Sequence, residues 1–106
     1  MRIFWAVILF SIAFYSSGYA QPLPGSVQDG RIYAMEVCSE CHVVSSSQSA
    51  PSTDAVPTFA SIAANPTVTE MGLRVFLQTP HAQMPDFILS RIQTDNIISY
   101  ILSLRH

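Results

Sequence analysis

The stretch 35-MEVCSECHVV-44 contains both cysteines of the 106-residue chain and one of its three histidines. Cys38 and Cys41 are separated by two residues, and His42 follows directly. A disulfide between these cysteines would close a very short loop, whereas disulfides stabilise mainly by constraining long loops of the unfolded chain. A structural disulfide is therefore a poor explanation for this spacing.

Four other interpretations of the C-x-x-C-H pattern compete. Structural zinc needs four ligands, usually in two separated pairs, and the sequence has no second C-x-x-C or H-x-x-x-H. A thioredoxin-like redox pair belongs at a helix start in a βαβ unit, whereas this pattern follows a predicted helix. Chance is disfavoured because the order of the three residues is specific. The fourth interpretation is covalent c-type haem, in which both thiols bind the vinyl groups and the adjacent histidine binds the iron.

The first twenty residues have the layout of a secretory signal peptide. A basic start precedes an apolar run over residues 3–14, and small residues follow at Gly18 and Ala20. This run is shorter than the roughly 20 residues of a membrane-spanning helix. We therefore expect cleavage after Ala20, with an uncleaved anchor as the alternative. The predicted organisation is a signal peptide at 1–20 and one domain at 21–106, exported to the periplasm.

The predicted domain is small and weakly acidic. Without Arg2 it has four arginines and no lysine against seven Asp and Glu residues. It therefore has no basic patch that would indicate binding to nucleic acid or to an anionic membrane surface. A domain this short has a thin core and usually needs a disulfide, a metal or a cofactor. A buried porphyrin would supply part of the missing interior.

Hydrophobic periodicity predicts an all-α fold with three to four short helices and two long loops. Capping boxes at 67-TVTE-70 and 90-SRIQ-93 mark the starts of the last two helices. The serine-rich loop 43–57 has no periodicity and is equally compatible with a flexible linker. The four predicted helices span 26–38, 58–64, 67–79 and 90–104.

Each predicted long helix has an apolar face. Gly30 within the first helix indicates a close helix crossing, and Arg105 near the end of the last helix suits the helix dipole. The predicted apolar residues are Ile32, Tyr33 and Val37 in the first helix, Leu73, Phe76 and Leu77 in the third, and Ile97, Ile98, Tyr100, Ile101 and Leu104 in the last.

A haem iron bound by His42 would need its sixth ligand from another segment. Met35 and Met71 lie in predicted helices and are expected to fill the core, and His106 is close to the end of the sequence. Met84 lies in the second loop, far from His42 along the chain, and a thioether ligand raises the reduction potential. Met84 is therefore the preferred ligand, and His81 is the alternative through a bis-histidine site.

Four motifs in order resemble those of small bacterial class I cytochromes c, over most of residues 26–105. They are 30-GRIYAMEVCSECH-42, 56-VPTF-59, 80-PHAQMPDFILS-90 and 97-IISYILSLR-105. The resemblance implies the class I cytochrome c fold, with helices and long loops wrapped around one covalent haem c.

The resemblance also implies a role for individual residues. Cys38 and Cys41 match the thioether positions, His42 the proximal ligand and Met84 the distal ligand. Pro57 matches the proline whose carbonyl accepts a hydrogen bond from the histidine Nδ1, and Gly30 and Tyr100 match the residues of the helix crossing. We also choose four residues as apolar haem contacts, although a place in the ordinary protein core is compatible with each of them. They are Phe59, Ile62, Phe76 and Leu77.

The function implied is that of a periplasmic one-electron carrier with His–Met ligation, not an enzyme. One alternative is a haem protein with an open or labile sixth site, used in gas binding, sensing or a peroxidase-like reaction. Another is the small haem subunit of a dehydrogenase or oxidase complex. The expected partners are redox proteins such as a periplasmic dehydrogenase, reductase or oxidase, bound by a monomer or within a complex. Residues 21–106 contain no lysine, so the lysine ring that mitochondrial cytochromes use for docking is absent, and we expect mainly apolar docking around an exposed haem edge. They also contain no tryptophan, so another group must bind the haem propionate that a tryptophan binds in mitochondrial cytochromes.

Overall fold

The computed structural model describes residues 18, 21–49, 56–79, 84 and 88–106. Its elements are all helical, with no strand in these residues, which confirms the predicted all-α class. Within the same residues, no helix combines the length and apolar character that crossing a membrane requires. Apart from Gly18, the predicted signal peptide lies outside the described residues. The elements are α1 (Val27–Glu36), a 3₁₀ turn (Cys38–Glu40), α2 (Phe59–Ala64), α3 (Glu70–Gln78) and α4 (Arg91–Ser103).

Serine side chains begin the first and last helices, as the sequence predicts. The Ser26 hydroxyl accepts a hydrogen bond from the N–H of Asp29 at 3.1 Å. Ser90 and Gln93 form the predicted capping box: the Gln93 N–H donates to the Ser90 hydroxyl at 3.2 Å, and the Ser90 N–H donates to the Gln93 side chain at 2.9 Å. Each such cap contributes about 1 kcal/mol and fixes where its helix starts.

The predicted start of α3 is wrong by two residues. Thr69, rather than Thr67, caps this helix, because its hydroxyl accepts from the Gly72 N–H at 3.0 Å. Glu70 is consequently the first residue of the helix and not its third. The Asn65 side-chain oxygen accepts from the N–H and the hydroxyl of Thr67, at 3.0 and 2.8 Å. This turn occupies Thr67 and leaves Thr69 as the cap.

Helices α1 and α4 cross in close contact at Gly30. A Cβ atom at this position would lie 1.9 Å from the carbonyl oxygen of Asn96 and 2.9 Å from the Cβ of Tyr100. The crossing predicted from Gly30 is therefore confirmed. One turn earlier, the N–H of Ser26 donates to the side-chain oxygen of Asn96 at 2.8 Å. Steric fit and a hydrogen bond together set how α1 lies on α4.

The buried face of α1 agrees with the predicted one at Tyr33 and Val37 but not at Ile32. Gly30 and Ala34 are its buried residues, whereas Ile32 is 47% exposed. Tyr33 and Val37 are half-buried and line a cleft. The prediction followed the largest apolar side chains, but a helix crossing this close requires the smallest ones.

Helix α4 provides the centre of the core. Its predicted residues Ile97, Ile98, Tyr100 and Ile101 are each at most 4% exposed. Leu104 is partly buried against the same cluster. The buried hydrophobic residues from the other described segments are Ala34, Val44, Phe59, Ala63 and Leu73.

Two arginines connect the helices through polar contacts. The Arg74 guanidinium of α3 lies 2.7 Å from a carboxylate oxygen of Asp95 on α4. Arg105, expected to act on the helix dipole, instead donates through Nε to the Ala63 carbonyl and through Nη2 to the Val68 carbonyl, both at 2.9 Å. The guanidinium therefore fixes the end of α2 and the connection to α3 against the end of α4.

Candidate functional site

The chain turns sharply after α1, which ends at Glu36 and not at the predicted Cys38. The N–H groups of Cys41 and His42 both donate to the Cys38 carbonyl, at 3.2 and 2.9 Å. Both thiols are free, with Cys38 half-buried and Cys41 exposed. Burial raises the pKa of the Cys38 thiol to about 11, so this thiol is protonated at neutral pH.

The imidazole of His42 has one nitrogen engaged and one available. Its Nδ1 lies 2.7 Å from the carbonyl oxygen of Pro57, which is the contact that the resemblance implies. Because a carbonyl only accepts, Nδ1 carries the proton, and in the neutral ring Nε2 therefore keeps its lone pair. The ring also packs against Phe59, with 5.4 Å between centroids and 53° between planes. These contacts orient the imidazole so that Nε2 is the atom available for a metal.

The first residue of α2 is bonded to the segment that follows His42. The N–H of Phe59 donates to the carbonyl of Val43 at 3.0 Å, and the Thr58 hydroxyl caps the helix by accepting from the Ser61 N–H at 3.0 Å. Phe59 is 4% exposed, and its ring centroid lies 6.3 Å from that of Tyr100. The aromatic ring beside His42 is thus held by α2 and by the core.

An apolar cleft lies beside these residues, and all four helices contribute to it. The empty space between its walls is about 530 Å³, a figure that includes space open to solvent. Burial, with a smaller contribution from Cys38, raises the pKa of the Tyr33 hydroxyl at its wall. The lining includes Tyr33 and Val37 of α1, Phe59 and Ile62 of α2, Leu73, Phe76 and Leu77 of α3, Ile97 and Ile101 of α4, together with Leu89.

Three of the predicted site residues with ligand chemistry line this cleft. They are Cys38, His42 and Met84. Cys41 precedes His42 directly, and Pro57 holds the imidazole from outside the lining set. The four chosen apolar contacts Phe59, Ile62, Phe76 and Leu77 also belong to the lining.

The methionines differ in their surroundings. Met84 is half-buried and lines the cleft. Met35 and Met71 are 39% and 67% exposed, so the prediction that they fill the core is wrong. Each projects from a part of its helix that faces solvent. His106 is exposed, and the alternative ligand His81 lies outside the described residues.

Gln48 is bound to the C-x-x-C-H turn, although the sequence analysis does not single it out. Its side-chain amide makes hydrogen bonds of 2.8 to 3.0 Å with the backbone of Ser39, His42 and Val44. Of the two alternatives left open for this loop, the structure therefore favours an ordered segment over a flexible linker for residues 43–49. No pattern in a serine-rich loop indicates such a role, because the contact depends on how the loop folds back.

The backbone of this segment is also fixed from the core. The Tyr100 hydroxyl donates to the carbonyl of Val44 at 2.5 Å, and Val44 is 1% exposed. Tyr100 was expected to pack at the helix crossing, and it does so through its Cβ near Gly30. Its hydroxyl extends that contact to the segment that carries His42.

The arrangement fits a large apolar group better than an ion held by side chains. Among the described residues, no three His, Cys, Asp or Glu side chains form a group suited to holding a metal ion. A structural zinc site is therefore unsupported in this part of the chain. Cys38 in the wall of an apolar cleft, Cys41 next to His42 and an available imidazole Nε2 fit a porphyrin attached through thioethers with its iron bound by His42.

Comparison with known proteins agrees with this chemistry. The chain is 40% identical over 90 residues to cytochrome c-552 of Bradyrhizobium diazoefficiens, which covers 85% of this chain and 86% of that protein. The chain belongs to the class I c-type cytochromes. No family model matches its sequence, and no solved structure matches it.

Membership of this family establishes the cofactor and the kind of chemistry. The cofactor of this cytochrome is covalently bound haem c, and the two cysteines of the chain have the C-x-x-C-H spacing. Cytochromes of this class are in general electron carriers and not enzymes. The predictions of haem c and of electron transfer are confirmed at this level.

Proposed function

We propose that this cytochrome is a periplasmic one-electron carrier whose single haem c is attached through Cys38 and Cys41, with His42 and Met84 as the axial ligands of the iron. One observation supports this more than any other. The Nδ1 of His42 is engaged by Pro57 at 2.7 Å, while the imidazole lines the same apolar cleft as Met84. A histidine held in this way has Nε2 available for a metal.

Each ligand would tune the iron in a different way. The bond from Nδ1 to the Pro57 carbonyl raises the electron density on Nε2 and fixes the orientation of the imidazole. A methionine thioether opposite the imidazole raises the reduction potential. Bound haem c supplies a reversible one-electron change at its iron. With both axial positions filled from the chain, no site is left for a substrate.

The apolar residues keep water from the cofactor. Phe59 packs against the His42 ring and limits its rotation. Ile62 and Leu77 are half-buried in the wall, and Phe76 is 52% exposed at its edge. A dry environment disfavours the more highly charged ferric state, so these side chains act on the potential in the same direction as Met84.

The periplasmic location rests on the sequence of residues 1–20. A basic start, a short apolar run and small residues at Gly18 and Ala20 are typical of a cleaved signal peptide. Export also suits the C-x-x-C-H pattern, since c-type haem is attached outside the cytoplasm. Amino-terminal sequencing of the purified cytochrome would give Gln21 as the first residue if cleavage occurs where we propose.

Absorption spectra of the wild type and of Met84→Ala test the ligation. We expect haem that survives acid–acetone extraction and a weak far-red band of methionine-bound ferric iron that is absent in Met84→Ala. Met71→Ala is the matched control, because Met71 is 67% exposed and does not line the cleft. If the band persists in Met84→Ala, the proposed ligand is wrong. If the wild type lacks the band, spectra of His81→Ala would test the bis-histidine alternative.

A further inference from the structure

The side chain of Gln48 bonds to the backbone at three points around His42. Its Nε2 donates to the Ser39 carbonyl at 3.0 Å and to the His42 carbonyl at 2.8 Å. Its Oε1 accepts from the Val44 N–H at 2.9 Å. Both amide protons and the amide oxygen are thus engaged, in a partly buried position. One side chain thereby ties the turn that carries the two cysteines to the residues that follow it.

These bonds act on the peptide unit from which the imidazole projects. The His42 N–H already donates to the Cys38 carbonyl at 2.9 Å, and the Gln48 amide holds the carbonyl on the other side of the same residue. The next carbonyl, of Val43, accepts from the N–H of Phe59 at 3.0 Å. Because the carbonyl and the Cα–Cβ bond of His42 share one tetrahedral carbon, rotating this peptide would swing the imidazole.

Holding the segment on the core does not require these bonds. Tyr100 attaches it to α4 through the Val44 carbonyl at 2.5 Å. The bonds of Gln48 to Ser39 and His42 lie instead within the turn, between the residues that carry the reactive groups. Gln48 therefore sets the internal geometry of this turn, whereas Tyr100 sets where the turn lies.

We propose that Gln48 is the positioning residue of His42, and that its side-chain amide sets the direction from which the imidazole approaches the iron. The inference deepens the proposed function and rests on it, because it takes His42 to be an axial ligand. The Pro57 carbonyl supports the imidazole ring itself. Gln48 adds a second polar support from the loop that follows the C-x-x-C-H motif.

Gln48→Met tests this inference on the haem-bound protein, since methionine has a similar length but no amide. We expect the g values of the ferric iron in electron paramagnetic resonance to shift, because they report the orientation of the axial ligands. We also expect a shift in the reduction potential. Gln48→Glu keeps an acceptor for Val44 but removes both donors, and we expect it to shift the g values as well.

Two control variants separate positioning from stability. Gln28→Met changes an exposed glutamine on α1 and should leave the g values and the reduction potential unchanged from those of the wild type. Tyr100→Phe removes a bond to the same segment at Val44, outside the turn, and should shift the g values less than Gln48→Met for the same loss of stability. If Gln48→Met lowers the denaturation midpoint but keeps the g values and the potential, Gln48 has only a structural role and the inference is wrong.

The wild type gives a second readout if the variants fail to acquire haem. In nuclear magnetic resonance spectra of the reduced cytochrome, the side-chain amide protons of Gln48 should exchange with solvent more slowly than those of Gln28. Equal exchange rates would overturn the inference. A wild type without the spectrum of His–Met ligation would overturn the proposed function instead, so the two failures are distinguishable.

Discussion

Two side chains fix the described ends of the 43–57 loop by donating to backbone carbonyls. The Tyr100 hydroxyl bonds to Val44 near the start of the loop, and the His42 Nδ1 bonds to Pro57 at its end. The carbonyl of Val44 is buried, and an unpaired buried carbonyl costs about 1–3 kcal/mol. The loop end beside the proposed iron ligand therefore depends on a hydroxyl in the core.

Tyr100→Phe should lower the free energy of unfolding by about 1–3 kcal/mol, because it leaves the Val44 carbonyl unpaired while the ring keeps its packing. Urea titration of the haem-bound proteins measures this change. Tyr33→Phe removes the same atom from a half-buried tyrosine at the cleft and serves as the control. A Tyr100→Phe midpoint equal to that of the wild type would show that the hydroxyl bond contributes nothing.

Residues in a short local pattern were predictable from the sequence, and residues joined by the fold were not. Cys38, Cys41 and His42 follow from spacing alone, because the chemistry of haem attachment requires neighbouring groups. The attachment of haem to the two cysteines and the binding of iron by His42 stay predictions until the variants are measured. Gln48 has no such pattern, since its partners are backbone atoms that any sequence would provide. Gln48 reaches these partners only once the loop has folded, so its role could not be predicted from the sequence.

At the scale of helices, the crossing of α1 and α4 determines where the segment after His42 lies. Gly30 allows the α4 backbone to approach at Asn96, and Tyr100 follows one turn later on α4. The same tyrosine holds Val44. A change in the distance between these helices would therefore be transmitted to the segment after His42.

Gly30→Ala should destabilise the haem-bound protein by about 1–3 kcal/mol, because its Cβ would lie 1.9 Å from a backbone oxygen that cannot rotate away. Gly72→Ala on α3 is the control, since its Cβ would meet the Thr69 hydroxyl oxygen at 3.1 Å. Neither glycine has a positive φ, so the comparison isolates the steric effect. Equal urea midpoints for the two variants would contradict the close crossing.

The starts of helices were predictable where one cap was available. Ser90 with Gln93 has no competitor nearby, and the structure has this capping box. At α3, Thr67 and Thr69 are both suitable, and the hydrogen bonds of Asn65 decide between them. The buried face of α1 could not be predicted from hydrophobicity, because its residues are selected by the approach of α4. The local sequence thus predicts where a helix starts, whereas the packing of the neighbouring helix determines which of its faces is buried.

For the molecule as a whole, haem c is part of the interior. The described core contains few large side chains, and α4 supplies most of them. Haem in the cleft would cover the part of its lining that the protein core does not already bury, including Phe76, which is 52% exposed, and the half-buried Tyr33, Val37 and Leu77. Burying such apolar surface is the main favourable term in folding, so this small domain loses a large share of its stability without haem.

The double variant Cys38→Ala and Cys41→Ala, prepared free of haem, should therefore lack a cooperative urea transition. We expect weak near-ultraviolet circular dichroism and binding of a hydrophobic dye, while much helical signal remains. Ser46→Ala with Ser47→Ala changes two exposed residues of the following loop and should keep the wild-type transition with haem attached. A cooperative transition close to that of the wild type in the haem-free protein would contradict this account.

The position of α4 along the chain has a consequence for the order of assembly. The proposed signal peptide would lead the amino end across the membrane first, so Cys38 and Cys41 would arrive outside well before Arg91, where α4 begins. Until α4 arrives, Gly30 has no backbone against it, Val44 has no hydroxyl partner, and the end of α2 is not held by Arg105. A chain exported in this order would present its two thiols on an open segment, where they could be joined to haem before α4 arrives to complete the core.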